Sequence, residues 1–160
     1  MTDFDSLLRV LKEAGVDFII VGGVAAVAHG SARLTQDLDV VYSRDDVNIR
    51  CLAEALAGHS PYLRGAPDGL PFRWDTGTIH RGLNFTLTTD LGDLDLLGEI
   101  TGGGDYEALE PHTVTLEMFG MKILCLDLEW LIRVKRAAGR PRDLEVLAEL
   151  EAIQEDTSEG

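Results

Sequence analysis

Cysteine is scarce in this chain of 160 residues, with only two, at Cys51 and Cys125. Neither belongs to a CxxC pair, so a disulfide scaffold and a thiolate zinc site are both excluded, and the two read as reduced structural thiols. Long apolar runs are also missing. The longest near-apolar stretch, Phe18 to Ala28, contains two glycines and is well short of the roughly 18 residues of a membrane span. Basic charge is thin as well, 14 Lys+Arg against 28 Asp+Glu, for a net charge of −14. Such an acidic surface argues against tight non-specific binding to nucleic acid, which needs many phosphate-neutralising cations. The start, Met1-Thr2-Asp3-Phe4-Asp5, is acidic where a secretory signal is basic. The expectation is a soluble, cytoplasmic protein with no membrane partner.

What the chain does have is an alternation of helix and strand patterns. Phe4, Leu7, Leu8, Leu11 and Ala14 recur at helical spacing, and Gly15 offers a left-handed stop. Asp17 to Val21 reads as a buried strand, Gly22-Gly23 as a turn, and Val24 to His29 as a short helix. A second strand covers Asp37 to Tyr42, followed by a helix from about residue 46 to 57 capped by Asp45 or Ser43. Residues 62–82 are less regular, a loop with a short strand at Leu70 to Trp74.

Two alternating segments, Leu83 to Thr88 and Gly92 to Leu97, form an antiparallel hairpin. Gly102-Gly103-Gly104 is a loop. Strands at His112 to Met118 and Met121 to Leu126 flank a Phe119-Gly120 turn; Asp127 caps a helix, and Pro141 opens the last one. No repeat and no dividing linker is evident. The fold expected is α/β (α+β): a single domain over residues 1–154, with a mixed β-sheet flanked by helices, C-terminal helices, and a polar, frayed tail over 155–160.

Asp37 and Asp39 lie one residue apart on a strand, so both side chains leave one face, roughly 7 Å apart. Carboxylates this close repel unless a cation lies between them, and hard oxygen ligands on a rigid strand suit Mg²⁺, with Mn²⁺ as a substitute. Upstream, the bare N–H groups of Gly22-Gly23 at a helix start can approach phosphate oxygens. Downstream, Asp93 and Asp95 share a face of their own strand, and either could join the first pair. A phosphate cradle beside clustered carboxylates is what phosphoryl-transfer chemistry requires.

The only concentrated positive charge is Arg133, Lys135, Arg136, Arg140 and Arg142, ten residues without an acid. It suits the grip of a small anion, or merely complements a helix dipole. His29, His59, His80 and His112 have no metal-ligand spacing, and no Ser-His-Asp or Cys-His pattern is present. Trp74 and Trp130 read as packing residues, with Trp74 also placed to stack on a base.

Val21-Gly22-Gly23 followed by Gly30, Arg33, Thr35 and Asp37-Leu38-Asp39 resembles the hG[GS]…[DE]h[DE] signature of the DNA polymerase β-like nucleotidyltransferase superfamily. The pattern is closest to its small prokaryotic branches, the minimal nucleotidyltransferases and the AbiEii-type toxin nucleotidyltransferases. This resemblance spans roughly residues 4–150. It implies that Asp37, Asp39 and Asp95 bind the metal and carry catalysis. It also implies that Gly22, Gly23, Arg33, Thr35, Lys135, Arg140 and Asp143 surround an NTP, ATP first. The implied reaction transfers an NMP to an acceptor hydroxyl on an RNA end, a protein or a small molecule. The alternative is a non-catalytic nucleotide sensor or toxin–antitoxin component acting through a protein partner such as an antitoxin. Gly23 stands where many members carry Ser, leaving only backbone to touch phosphate. The extra C-terminal helical region of the longer toxin members is absent from this sequence, so acceptor and toxicity do not carry over.

Overall fold

The computed structural model describes residues 1–159, with side chains through Thr157. The chain runs α1 (Phe4–Glu13), β1 (Phe18–Val21), α2 (Gly22–Ala28), β2 (Asp37–Tyr42), α3 (Asp46–Ala57), β3 (Tyr62–Leu63), α4 (Thr76–Arg81), β4 (Phe85–Thr89) and β5 (Gly92–Leu97). It continues through β6 (Glu99–Ile100), β7 (Gly104–Asp105), α5 (Tyr106–Leu109), a 3₁₀ turn (Glu110–His112), β8 (Thr113–Met118), β9 (Met121–Leu126), α6 (Leu128–Ala138) and α7 (Pro141–Glu159). Seven strands form one sheet in the order β3-β4-β5-β2-β1-β9-β8; β6 and β7 pair separately. The sheet is mixed, with β2 parallel to β5 and β1 parallel to β9 while the other neighbours are antiparallel.

Alternation decides which side chains enter the core. On β2 and β5, Leu38, Val40, Leu94 and Leu96 are fully buried, and the intervening Asp37, Asp39, Asp93 and Asp95 are left on the opposite face. Each buried leucine or valine contributes about 1.5–3 kcal/mol relative to exposure, so a one-residue register slip would cost several such terms at once. Two helical groups flank the sheet: α1 packs with α3 and α3 with α4, while α2 contacts α6 and α6 packs on α7. No helix among the described residues is long and apolar enough to cross a membrane.

Several local expectations are corrected. Gly22-Gly23 is the first turn of α2 itself and not a separate turn before it. No strand forms at 70–74. There the chain turns tightly through Leu70-Pro71-Phe72, where the Phe72 N–H donates to the Leu70 carbonyl (2.8 Å), and aromatic packing of Tyr62, Phe72, Trp74 and Phe85 holds it. Trp74 stacks edge-on to Phe85 in this cluster, with its centroid 5.7 Å away, and does not line the large cavity described below. Asp45 sits at the start of α3 without a side-chain capping bond, and Ser43 instead accepts from the Asp45 N–H (3.3 Å). By contrast, Asp127 caps α6 by accepting from the Trp130 N–H (2.8 Å), and Gly139 ends that helix at φ +64°. The last helix runs on to Glu159, through most of the segment expected to fray; Gly160 lies outside the described residues.

Candidate active site

Parallel pairing of β2 with β5 sets Asp37 opposite Asp93 and Asp39 opposite Asp95. Carboxylate oxygens, one from each of Asp37, Asp39 and Asp95, all lie within 4.8 Å of one another. That spacing is what adjacent strands produce when same-face residues stand side by side. Asp93 falls outside this trio and faces Arg64, whose Nε is 3.5 Å from its Oδ1.

The electrostatics of the cluster are unfavourable without a cation. Burial, then the charge of Asp95, raises the pKa of Asp39 to about 8. Asp37 is raised by the same causes, opposed by Arg64. Asp39 Oδ1 is also buried with no hydrogen-bond donor. A three-carboxylate oxygen set with one orphaned buried oxygen fits a hard divalent cation.

The end of β1 abuts these acids, because Val21 pairs with Asp39. Gly22 follows at φ +67°, and a Cβ there would overlap Asp39 Oδ2. Only glycine combines that backbone with so close an approach. A Cβ on Gly23 would overlap the Thr35 hydroxyl, which donates to the Asp37 carbonyl (3.2 Å), so Thr35 braces the start of β2 against the glycine turn.

Above the acids opens a cavity of about 700 Å³. Gly22, Arg33, Asp37, Asp39 and Asp95 line it together with Lys135 of α6, Arg140 of the turn that follows, and Arg142 and Asp143 of α7. Gly23 and Thr35 instead border an adjoining pocket of about 110 Å³. Asp143 is 1% exposed and organises the cationic wall. Its Oδ1 is 3.3 Å from Lys135 Nζ, and its Oδ2 accepts from Arg140 Nε at 2.6 Å. Burial works against its charge, but Arg140 and Lys135 outweigh that and hold its carboxyl below the usual range. The other cations of the run diverge: Arg136 pairs with Glu151, and Arg133 lies over the Trp130 ring. Arg33 is 3.6 Å from both Glu145 and Glu149 of α7.

Arg64 is the group that the sequence pattern misses. It follows the two-residue β3 in the irregular stretch after α3, with no motif around it. The exposed-looking Asn84 and Glu99 of the cavity rim carry no local signal either. None of the four histidines joins a metal-ligand group among the described residues.

No protein-family model and no curated protein matches this sequence. Solved structures do match. The lincosamide antibiotic adenylyltransferase LnuA, bound to lincomycin, superposes with a TM-score of 0.61 at 16% identity over 95% of this chain and 98% of that one. ANT(2″)-Ia in complex with adenylyl-2″-tobramycin gives 0.56 at 14% identity over 94% and 92%. An antigenic nucleotidyltransferase-like protein from Paracoccidioides brasiliensis gives 0.53 at 18% identity over 93% and 77%. The chain therefore shares the fold of these nucleotidyltransferases.

Proposed function

We propose that this protein is a nucleotidyltransferase that moves an NMP from an NTP, ATP first, to an acceptor hydroxyl. The observation that carries this reading is the convergence of Asp37, Asp39 and Asp95 beside Gly22, in a cavity also lined by Lys135, Arg140 and Arg142. Similarity to adenylyltransferases of antibiotics supports a small hydroxylated acceptor over a macromolecule.

Asp37, Asp39 and Asp95 would hold Mg²⁺, or Mn²⁺ in its place. Such an ion neutralises charge on the phosphates and lowers the pKa of a bound hydroxyl. The chain's own groups do the rest. Backbone N–H groups at Gly22-Gly23, unobstructed by any Cβ, meet phosphate oxygens, and Lys135 supplies a point charge to the β- or γ-phosphate, with Arg140 and Arg33 beside it. The acceptor oxygen forms a bond to the α-phosphorus as the bond to the β-phosphate oxygen breaks, and pyrophosphate leaves. The acceptor's proton passes to Asp95. Asp143 fixes the two cations so that little reorganisation is needed when the triphosphate arrives.

Incubation with each α-labelled NTP, Mg²⁺, cell extract and a panel of hydroxylated antibiotics tests the reading. Labelled acceptor with stoichiometric pyrophosphate is expected. Nucleotide binding that ignores Mg²⁺ and releases no pyrophosphate would replace this reading with the non-catalytic sensor or toxin–antitoxin component.

A further inference from the structure

Two of the three acids that would hold a cation already face one from the protein itself. Arg64 Nη2 donates to Asp95 Oδ1 at 2.8 Å, and Nη1 is 3.7 Å from Asp37 Oδ2. Its Nε, 3.5 Å from Asp93 Oδ1, leaves a single guanidinium within ion-pair distance of three of the four carboxylates on this face. The side chain is 27% exposed, so solvent screens these contacts only in part.

The guanidinium is held by groups other than the acids. Nη2 also donates to the Leu87 carbonyl (2.7 Å), and the Arg64 backbone N–H donates to the Thr86 carbonyl (3.0 Å), extending the β3–β4 ladder. Since β4 itself pairs with β5, with Thr86 opposite Asp95 and Leu87 opposite Leu94, the same backbone that places Asp95 also places Arg64. A divalent ion entering the cluster would thus find this positive charge fixed nearby. Like charges separated by a few ångströms repel strongly in a partly buried site.

We propose that Arg64 is the built-in counter-ion of the carboxylate centre. It orients Asp95 and offsets the acids when no divalent ion is bound, and it keeps affinity for the free ion low. Filling of the site is thereby coupled to arrival of the triphosphate, whose negative charge offsets the guanidinium. This role rests on the nucleotidyl-transfer reading above. Arg64 is a positioning residue here, since it acts through Asp95 and Asp37 on whatever they hold.

The test uses Mn²⁺ alone, followed by its paramagnetic resonance signal, with the full chain and its Arg64→Met, Arg64→Ala and Arg64→Lys variants. Removing the charge should tighten Mn²⁺ binding by about tenfold or more, because a fixed repulsion is lost. Arg64→Lys, which keeps the charge, should stay within about threefold of the unmodified protein. Adding Asp39→Asn to Arg64→Met should abolish the gain, placing the ion at the acids. In thermal melts, Arg64→Met should lose stability without metal and recover more on Mn²⁺ addition than the unmodified protein does. Arg64→Met keeps the length of the side chain, so it serves where Arg64→Ala fails to fold. Equal or weaker Mn²⁺ binding in Arg64→Met, or tightening in Arg64→Lys as large as in Arg64→Met, overturns the counter-ion role and leaves nucleotidyl transfer standing. Failure of every protein to bind Mn²⁺, even with ATP, overturns the transfer reading and this inference with it.

Discussion

The carboxylate wall of the cavity hangs on backbone pairing, whereas the cationic wall hangs on one buried side chain. Asp37, Asp39 and Asp95 are positioned by the β2–β5 ladder, and no rotamer change can move their Cα atoms apart without breaking it. Lys135 and Arg140 project from the end of α6 and the turn beyond it, and what gathers them is Asp143. A ladder suits groups that must hold fixed spacing against mutual repulsion. A buried carboxylate suits long side chains that would otherwise sample many rotamers, because it holds both cations in one place. The two walls should accordingly fail in different ways when mutated.

The largest effect is expected on the ladder side. Asp39→Asn should lower transfer by about a thousandfold or more while the protein stays folded, since it removes one of several crowded acids. Pyrophosphate release and a melting curve on the same preparation check both halves. On the same logic Asp95→Ala should cost far more activity than Asp93→Ala, because only Asp95 has an oxygen within the 4.8 Å cluster. The reverse ranking would show that the active acids are not the ones the ladder brings together.

Next comes the glycine on which that wall rests. Gly22→Ala forces a Cβ into Asp39 Oδ2 at a backbone conformation that L residues rarely adopt. About 1–3 kcal/mol of stability should be lost, together with activity, and denaturant unfolding measures the first. A Gly22→Ala protein of unchanged stability and turnover would mean that β1 ends with more freedom than its close approach to Asp39 allows.

The cationic wall should respond more mildly. Lys135→Ala is expected to weaken NTP binding by about 1–3 kcal/mol, the range for a lost charge-assisted contact, with little change in melting temperature. Titration calorimetry with ATP and Mg²⁺ reads it. Unchanged NTP affinity with loss of acceptor binding would move this wall from the nucleotide to the acceptor.

The carboxylate side should also show itself as a slope in pH. Asp39 titrates near 3.8 when unfolded and at about 8 in the folded, metal-free chain. Between those values the folded state binds more protons, so the contribution of Asp39 to stability is full below pH 4 and is lost as pH rises toward about 8. Asp143, held low, works in the other direction, but only as pH falls below the ordinary carboxylate range. The metal-free melting temperature should therefore fall between pH 5 and about 8, less steeply in Asp39→Asn. Parallel profiles for the two proteins would show that the acid cluster carries no such strain.

Much of this site can be read along the chain because its parts are local. Strand alternation puts Asp37 and Asp39 on one face, the glycine pair marks a place where backbone must come close, and Asp127 and Pro141 punctuate the last two helices. Within a strand, the sequence alone determines which residues share a face, and the alternating apolar residues determine that this face is not the core. Hydrophobic periodicity and capping chemistry act over a few residues, so each can be seen without the rest of the molecule.

What the tertiary structure alone decided is which face meets which. Period-two geometry treats Asp93 and Asp95 alike, and only the parallel register sets Asp95 across from Asp39. The short helix at Tyr106–Leu109, capped by Asp105 accepting from the Ala108 N–H, and the turn at Leu70–Phe72 are held in place by burial of Tyr106 and by the Phe72–Trp74 cluster. Arg64 reaches the acids because β3 pairs with β4 and β4 with β5, linking residues 31 apart in the chain. Coulomb forces fall off with distance in space and take no account of separation in sequence, so a counter-ion of this kind becomes visible only once the sheet has closed.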